Sequence, residues 1–288
     1  MKKFPLLFLL LILLVGCGSS ESSTPTPHTF ETSGGPSDLQ VLVASDDFPV
    51  GQPRVPLLLF AGPQRVADAQ RVNLTAFDLT SGTPIPGWTG EAVNYSDYAV
   101  PYWVAYPTLP HAGLWGLQAA ITKGDGTVTT GQLVIEVKDR TPVPAIGSQP
   151  PRSQNRTLTT QPDLHQLTSA AQPNPAFYQL TVAEAIQSGR PSVVVFATPG
   201  FCQTALCAPV LKSAETIYPA FKAQVNFIHV EIYKQFNPAL VVDDTVTEWQ
   251  LTSEPWTFIL DQKGTVFARF GGPVSPRELT ATLKELGL

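Results

Sequence analysis

Near residue 177 the hydrophobic pattern of the chain changes period, and that change limits the folds open to it. Between residues 38 and 140 the runs "LQVLVAS", "VPLLLF", "RVNLTAFDL", "YWVAYP", "LWGLQAAIT" and "TGQLVIEVKD" are short and rich in Val, Leu, Ile and aromatics, with Pro and Gly clusters between them. Six or seven such runs without helical spacing predict an all-β sandwich, with "KGDGTV" as a hairpin turn. From 177 to 288 strands and helices alternate. "TVAEAIQSG" reads as a helix ending at Gly189, "SVVVFA" as a buried strand, "APVLKSAETIYPAFKAQ" as a helix and "VNFIHVEIY" as a strand. "DTVTEWQ" is a short helix, and "WTFILD" and "TVFARFGG" are strands joined by "DQKG". "SPRELTATLKELGL" closes the chain as an amphipathic helix, with Ser275 and Glu278 spaced for a capping box. That order specifies an α/β domain with a mixed central sheet. Length agrees, since 288 residues exceed one common core. Between the two patterns, residues 141–176 carry Pro142, Pro144, Pro150, Pro151, Pro162, Pro173 and Pro175, a semi-rigid linker expected to drape over the second domain.

The N-terminus predicts a destination. Lys2 and Lys3 precede an apolar run of about a dozen residues, a secretory leader too short for a typical spanning helix. The run ends "LVGC", with Leu14, Val15 and Gly16 before Cys17. This resembles the lipobox of bacterial lipoproteins, which implies cleavage after residue 16 and lipidation of Cys17. Residues 17–37, rich in Ser, Thr, Pro and Gly, then form a tether that cannot bury a core. The expected location is the cell membrane, lipid-anchored and facing outside the cytoplasm. The formal charge of −5, with no basic patch, excludes nucleic acid as a partner.

The sandwich expected over 38–140 is immunoglobulin-like, without that fold's disulfide because it contains no cysteine. Trp88, Trp103 and Trp115 are read as core aromatics rather than a ligand patch, and His111 as a solvated side chain beside a turn.

Chemistry is concentrated in "FATPGFCQTALCAPV", which holds Cys202 and Cys207, the two cysteines besides Cys17. On a continuous helix, residues five apart rise about 7.5 Å and sit roughly 140° apart. Their Cα atoms would then lie at or beyond the ~7 Å limit for a disulfide. The spacing therefore puts Cys202 in a loop and Cys207 in the first turn of a helix starting around 203–206. A thiol there feels the positive end of the helix dipole, which favours thiolate. Outside the cytoplasm an unmaintained pair becomes a disulfide. A redox pair, a structural staple, a metal clasp and a peroxide-reactive thiol all stay open on this evidence.

Residues 177–288 resemble the thioredoxin fold, and within it the membrane-tethered redoxins of bacterial envelopes. Three anchors carry the resemblance: a strand leading into two cysteines at a helix start, "EPWTFILD" some fifty residues later, and a final hairpin plus helix. It implies a cis bond before Pro255 facing the cysteines, Cys202 as nucleophile and Cys207 as resolving thiol. It further implies protein thiol or disulfide substrates, an electron-donor or acceptor protein, and no dissociable cofactor. The chain departs from the family in placing four residues between the cysteines, and in having Phe201 and Phe196 where a tryptophan and a buried acid are usual. Peroxiredoxins of one subclass share the four-residue gap, but their threonine and proline positions are Pro199 and Val195 here. Copper-delivery proteins of this fold add a distant histidine, whereas His229 follows too soon and the other histidines lie outside the fold. His229 and Glu231 alternate on a predicted central strand, share one face, and are candidates for a proton relay. Solvation at the sheet margin, or pairing with a Lys, is the plainer alternative.

The resulting expectation is an extracytoplasmic thiol–disulfide oxidoreductase using Cys202, Cys207 and Pro255. The competing class is a non-enzymatic envelope binding or assembly module with a structural disulfide.

Overall fold

A computed structural model describes residues 39–288. The leader, Cys17 and the tether lie outside the described residues, and so does what was expected of them.

The first half is entirely antiparallel. Its strands are β1 (Leu39–Val43), β2 (Val55–Ala61), β3 (Gln64–Arg65), β4 (Ala69–Asp78), β5 (Ile85–Glu91), β6 (Val93–Tyr95), β7 (Tyr102–Ala105), β8 (Gly113–Lys123) and β9 (Val128–Val137). They form two sheets, ordered β1-β2-β7-β6 with β3 beside β2, and β5-β4-β8-β9. Alternate residues of both sheets point into one core, where Leu57, Leu59 and Trp103 meet Leu74, Trp115, Leu117 and Ile121. Gly131 on β9 lets the sheets close, because a Cβ there would stand 2.4 Å from Val41. Trp103 and Trp115 are buried and Trp88 packs against them, so the tryptophans are core residues. His111 is not simply solvated: its Nε2 lies 3.0 Å from Asp78. The runs missed from sequence are β3, β5 and β6. "IPGWTGE" is mostly exposed and carries two glycines and a proline, so its apolar signal is weak.

The second half adds α1 (Leu164–Leu167), a 3₁₀ turn (Pro175–Tyr178), α2 (Val182–Gln187), β10 (Ser192–Ala197), α3 (Cys207–Phe221), β11 (Asn226–Glu231), β12 (Tyr233–Gln235), β13 (Val241–Val242), α4 (Asp244–Glu248), β14 (Trp256–Leu260), β15 (Val266–Gly271) and α5 (Pro276–Glu285). Its main sheet runs β11-β10-β14-β15, with β10 parallel to β11 and antiparallel to β14. Every residue of β10, β11 and β14 is buried, because cores lie on both faces. Such strands read as continuous apolar runs, as "SVVVFA" does. The expected helix start at 203–206 is corrected to Cys207. The Pro-rich stretch carries more structure than a linker: Val143 enters a core, and Ser153, Asn155 and Thr157 are buried.

Ser275 caps α5 by accepting from Glu278 N–H at 3.1 Å. The reciprocal half of the expected box does not form, because Glu278 is used elsewhere. Its carboxylate takes Arg54 in a two-point ion pair of 2.7 and 2.8 Å and accepts from Tyr102 Oη at 2.6 Å. Arg54 also donates to Gly271 O at 3.1 Å and Pro273 O at 2.6 Å, and Tyr102 Oη accepts from Ser275 N–H at 2.8 Å. A buried charge pair is tolerable only when its remaining hydrogen-bonding capacity is met, as it is here. Removing one partner strands the other, so Arg54→Ala should lower the stability of the chain by about 3–5 kcal/mol in denaturant unfolding.

Candidate functional site

β10 delivers the chain to a tight turn in which Phe201 N–H donates to Thr198 O at 3.2 Å. Gly200 sits against the Pro-rich stretch. Its N–H donates to Ser169 Oγ at 2.9 Å, and a Cβ would lie 2.9 Å from Ser169. Cys202 follows, half-buried, and then Ala205 turns the chain with φ of 58°. That left-handed residue breaks any helical run between the cysteines, which is how a four-residue gap brings them together. Leu206 is buried against Tyr102 and its aromatic neighbours in the first half.

α3 begins at Cys207, and Leu206 provides no side-chain cap. The sulfur of Cys202 takes that place, accepting from Cys207 N–H at 3.3 Å, with the Thr204 hydroxyl also 3.3 Å away. An anionic sulfur at a helix start satisfies an orphan N–H and meets the positive end of the dipole. Both cysteines are free thiols, and Cys207 is fully buried. Hydrogen bonding from the Cys207 thiol, then from Thr204 and backbone N–H groups, overcomes burial and brings Cys202 down to about 5. Sharing its proton with Cys202, and burial, push Cys207 well above the usual thiol range.

A third group stands with them. The two sulfurs and a carboxylate oxygen of Glu254 all lie within 4.8 Å of one another. The Glu254–Pro255 peptide is cis and leads directly into β14, whose Trp256 pairs with Phe196 of β10. Burial, then the Cys202 charge, raise the Glu254 carboxyl. Thr252 and Ser253, just before it, donate to Asp46 of the first half at 2.8 and 2.7 Å. A cluster of Phe201, Tyr233 and Phe236 flanks Cys202, with Leu240, Val241 and Val242 exposed on the neighbouring β12–β13 ribbon.

His229 and Glu231 lie elsewhere. The expected central strand is corrected to an edge strand, β11, yet both residues are buried there, at 1% and 2% exposure, and neither is solvated nor paired with a Lys. Tyr178 Oη lies 2.7 Å from His229 Nδ1, and Nε2 lies 3.0 Å from Ala197 O. Glu231 accepts from Ser169 N–H at 2.8 Å and Ser169 Oγ at 2.7 Å. Neither hydrogen-bonds a cysteine; Glu231 reaches the cysteine loop through Ser169, which meets Thr198 and Gly200. Desolvation holds His229 below its ordinary value. Sequence reasoning missed Thr204, Ser169 and Glu254. Glu254 carried a signal, since it directly precedes the proline expected to face the cysteines; Ser169, in the Pro-rich stretch, carried none.

No family model matches the chain, and no curated protein matches it. Among solved structures, part of the chain is similar to a thiol:disulfide interchange protein from Bacteroides sp. (15% identity, 50% of this chain and 91% of that chain, TM-score 0.35). Part is similar to a thioredoxin-family thiol:disulfide interchange protein from Chlorobium tepidum (13% identity, 52% and 99%, TM-score 0.33). Part is similar to fibronectin(III)-like modules of CbhA from Clostridium thermocellum (14% identity, 36% and 98%, TM-score 0.22). The second half has a thioredoxin-like fold on its own sheet order, its cysteines at a helix start and its cis-proline.

Thiolate is the form that alkylates, so the rate at Cys202 should be level above pH 5 and fall about tenfold per unit below it. Removing the Cys207 donor by Cys207→Ala should move that midpoint up toward the ordinary ~8.5. Iodoacetamide labelling followed by peptide mass spectrometry measures both.

Proposed function

We propose that the chain is a membrane-anchored, extracytoplasmic thiol–disulfide oxidoreductase. The observation that carries the reading is the half-exposed Cys202 sulfur capping α3 beside the buried Cys207 thiol. In the reducing half-reaction, Cys202 thiolate attacks one sulfur of a substrate disulfide, forming a mixed disulfide and releasing one substrate thiolate. Cys207 then gives up its proton, for which the Glu254 carboxylate is the nearest acceptor of raised affinity. Its thiolate attacks Cys202 Sγ, the second substrate thiol leaves, and the Cys202–Cys207 disulfide holds the two oxidising equivalents. Closure needs the sulfurs to move from within 4.8 Å to the ~2.05 Å of a disulfide.

The reverse sequence oxidises substrate dithiols, and a partner protein restores the pair in either case. Hydrogen bonds that favour the Cys202 thiolate stabilise the reduced pair, which raises its potential and favours the oxidising direction. Phe201, Phe236 and the exposed ribbon residues offer apolar side chains of an unfolded segment a surface next to the nucleophile.

The same proposal includes the first half as an immunoglobulin-like domain and lipidation of Cys17. The former is supported by two antiparallel sheets around one core, the latter by the leader sequence alone. Among the described residues no helix is long and apolar enough to cross a membrane. With Cys207→Ala in the native envelope, mixed disulfides should accumulate through Cys202 and disappear on adding Cys202→Ser. Non-reducing gels with no adducts for the single variant would overturn the reading.

A further inference from the structure

None of the histidines stands at a place suited to a third ligand for the two thiols. The structure supplies a carboxylate instead. Cys202, Cys207 and Glu254 form the one group among the described residues in which three such side chains converge to within 4.8 Å. Glu254 joins none of the ion pairs and hydrogen bonds of the described residues, although it is half-buried beside two sulfurs. Three groups that become anionic thus crowd together with no Arg or Lys among them.

We propose that in its dithiol state the protein binds one thiophilic divalent cation, of the zinc or cadmium type, through Cys202 Sγ, Cys207 Sγ and a carboxylate oxygen of Glu254.

Distance and donor chemistry both support the assignment. A tetrahedral ion at 2.3 Å from two thiolates holds the sulfurs about 3.8 Å apart, so side-chain rotations at half-buried Cys202 and Glu254 that shift their ligand atoms by at most about 1 Å complete the site. Two thiolates suit Cu(I), zinc and cadmium, and the hard carboxylate oxygen shifts the choice toward the divalent ions. Three protein ligands, two of them partly exposed, leave a fourth position for water, the pattern of open rather than closed zinc sites. The first half holds both sides of this cluster, Leu206 through its aromatic pocket and Thr252 and Ser253 through Asp46, so the ligands are positioned by the fold. Binding releases the Cys207 proton to solvent. The disulfide form has no thiolate to offer, so metal and disulfide exclude each other at one site.

Titration of the reduced chain with cadmium chloride under argon tests this without any turnover, so its outcome is independent of the exchange reading. A sulfur-to-cadmium charge-transfer band should rise linearly and stop at one ion per chain, and zinc should displace it. Pre-oxidised protein and Cys202→Ser should lose the tight phase. Glu254→Gln, with thiol count and circular dichroism unchanged, should weaken binding by at least the roughly tenfold that even an outer-shell change costs. A titration with no stoichiometric end point, or a Glu254→Gln curve that superimposes on the wild type, would overturn the proposal. Should Glu254→Gln alter the circular dichroism, Glu254→Asp provides the same comparison: a one-methylene retreat of the carboxylate must also weaken binding.

Discussion

The buried pair of Arg54 and Glu278 joins a β2-side loop of the first half to the start of the last helix, and much of the molecule depends on it. Its two-point geometry and its satisfied neighbours, Tyr102, Gly271 and Pro273, fix orientation as well as distance. Lesser contacts follow that registration. Arg269 pairs with Asp47 at 2.6 Å, and Arg277 reaches Asn94 O and Asp97. With the halves so aligned, Leu206 enters the tyrosine cluster on one side of the cysteines and Asp46 grips Thr252 and Ser253 on the other. The sandwich is therefore more than a spacer. It braces the two segments that carry the thiols and the carboxylate.

The cysteine loop shows why spacing alone is a poor guide to chemistry. Two extra residues relative to the usual thioredoxin motif would carry Cys202 away from the helix if the chain continued regularly. Ala205 at φ 58° folds the excess back. A non-glycine residue there costs about 1–2 kcal/mol of backbone energy, which the burial of Leu206 and the helix-capping sulfur contact offset. The result places the Cys202 sulfur where the cap belongs, so thiolate stabilisation and helix initiation share one atom.

Much of the second half was legible because its strands are buried on both faces and its helices carry clear end signals. "SVVVFA" and "WTFILD" could hardly be anything else, and Thr181 with Glu184 forms the full capping box that Ser275 and Glu278 do not. The failure at Glu278 is instructive: local spacing favoured a cap, but a buried arginine from more than two hundred residues away outbid it. The same holds at the site. Cys202, Cys207 and Pro255 announce themselves by type and order. Glu254 acquires its meaning only when β14 is laid beside β10, and Ser169 only when the Pro-rich stretch is wrapped over the sheet edge. The alternation of His229 and Glu231 shows a shared face, but the Pro-rich segment that covers this edge strand and buries them is not visible from alternation, which cannot tell an open sheet margin from a covered one.

The coupling between the thiols orders the steps of the proposed exchange. While Cys202 is a thiolate, its charge and its hold on the Cys207 proton keep Cys207 protonated and inert. Attack on a substrate converts that thiolate into a neutral mixed disulfide. The sulfur then no longer opposes a second negative charge, and its claim on the Cys207 proton is lost. Cys207 N–H, left without its anionic acceptor, adds a donor at the helix start that favours charge on Cys207 instead. The resolving thiol is thus activated by the event it must follow, with Glu254 beside it to receive the proton. Burial of Cys207 keeps external disulfides from reaching its thiolate in the meantime, so its attack is directed at the neighbouring Cys202–substrate bond.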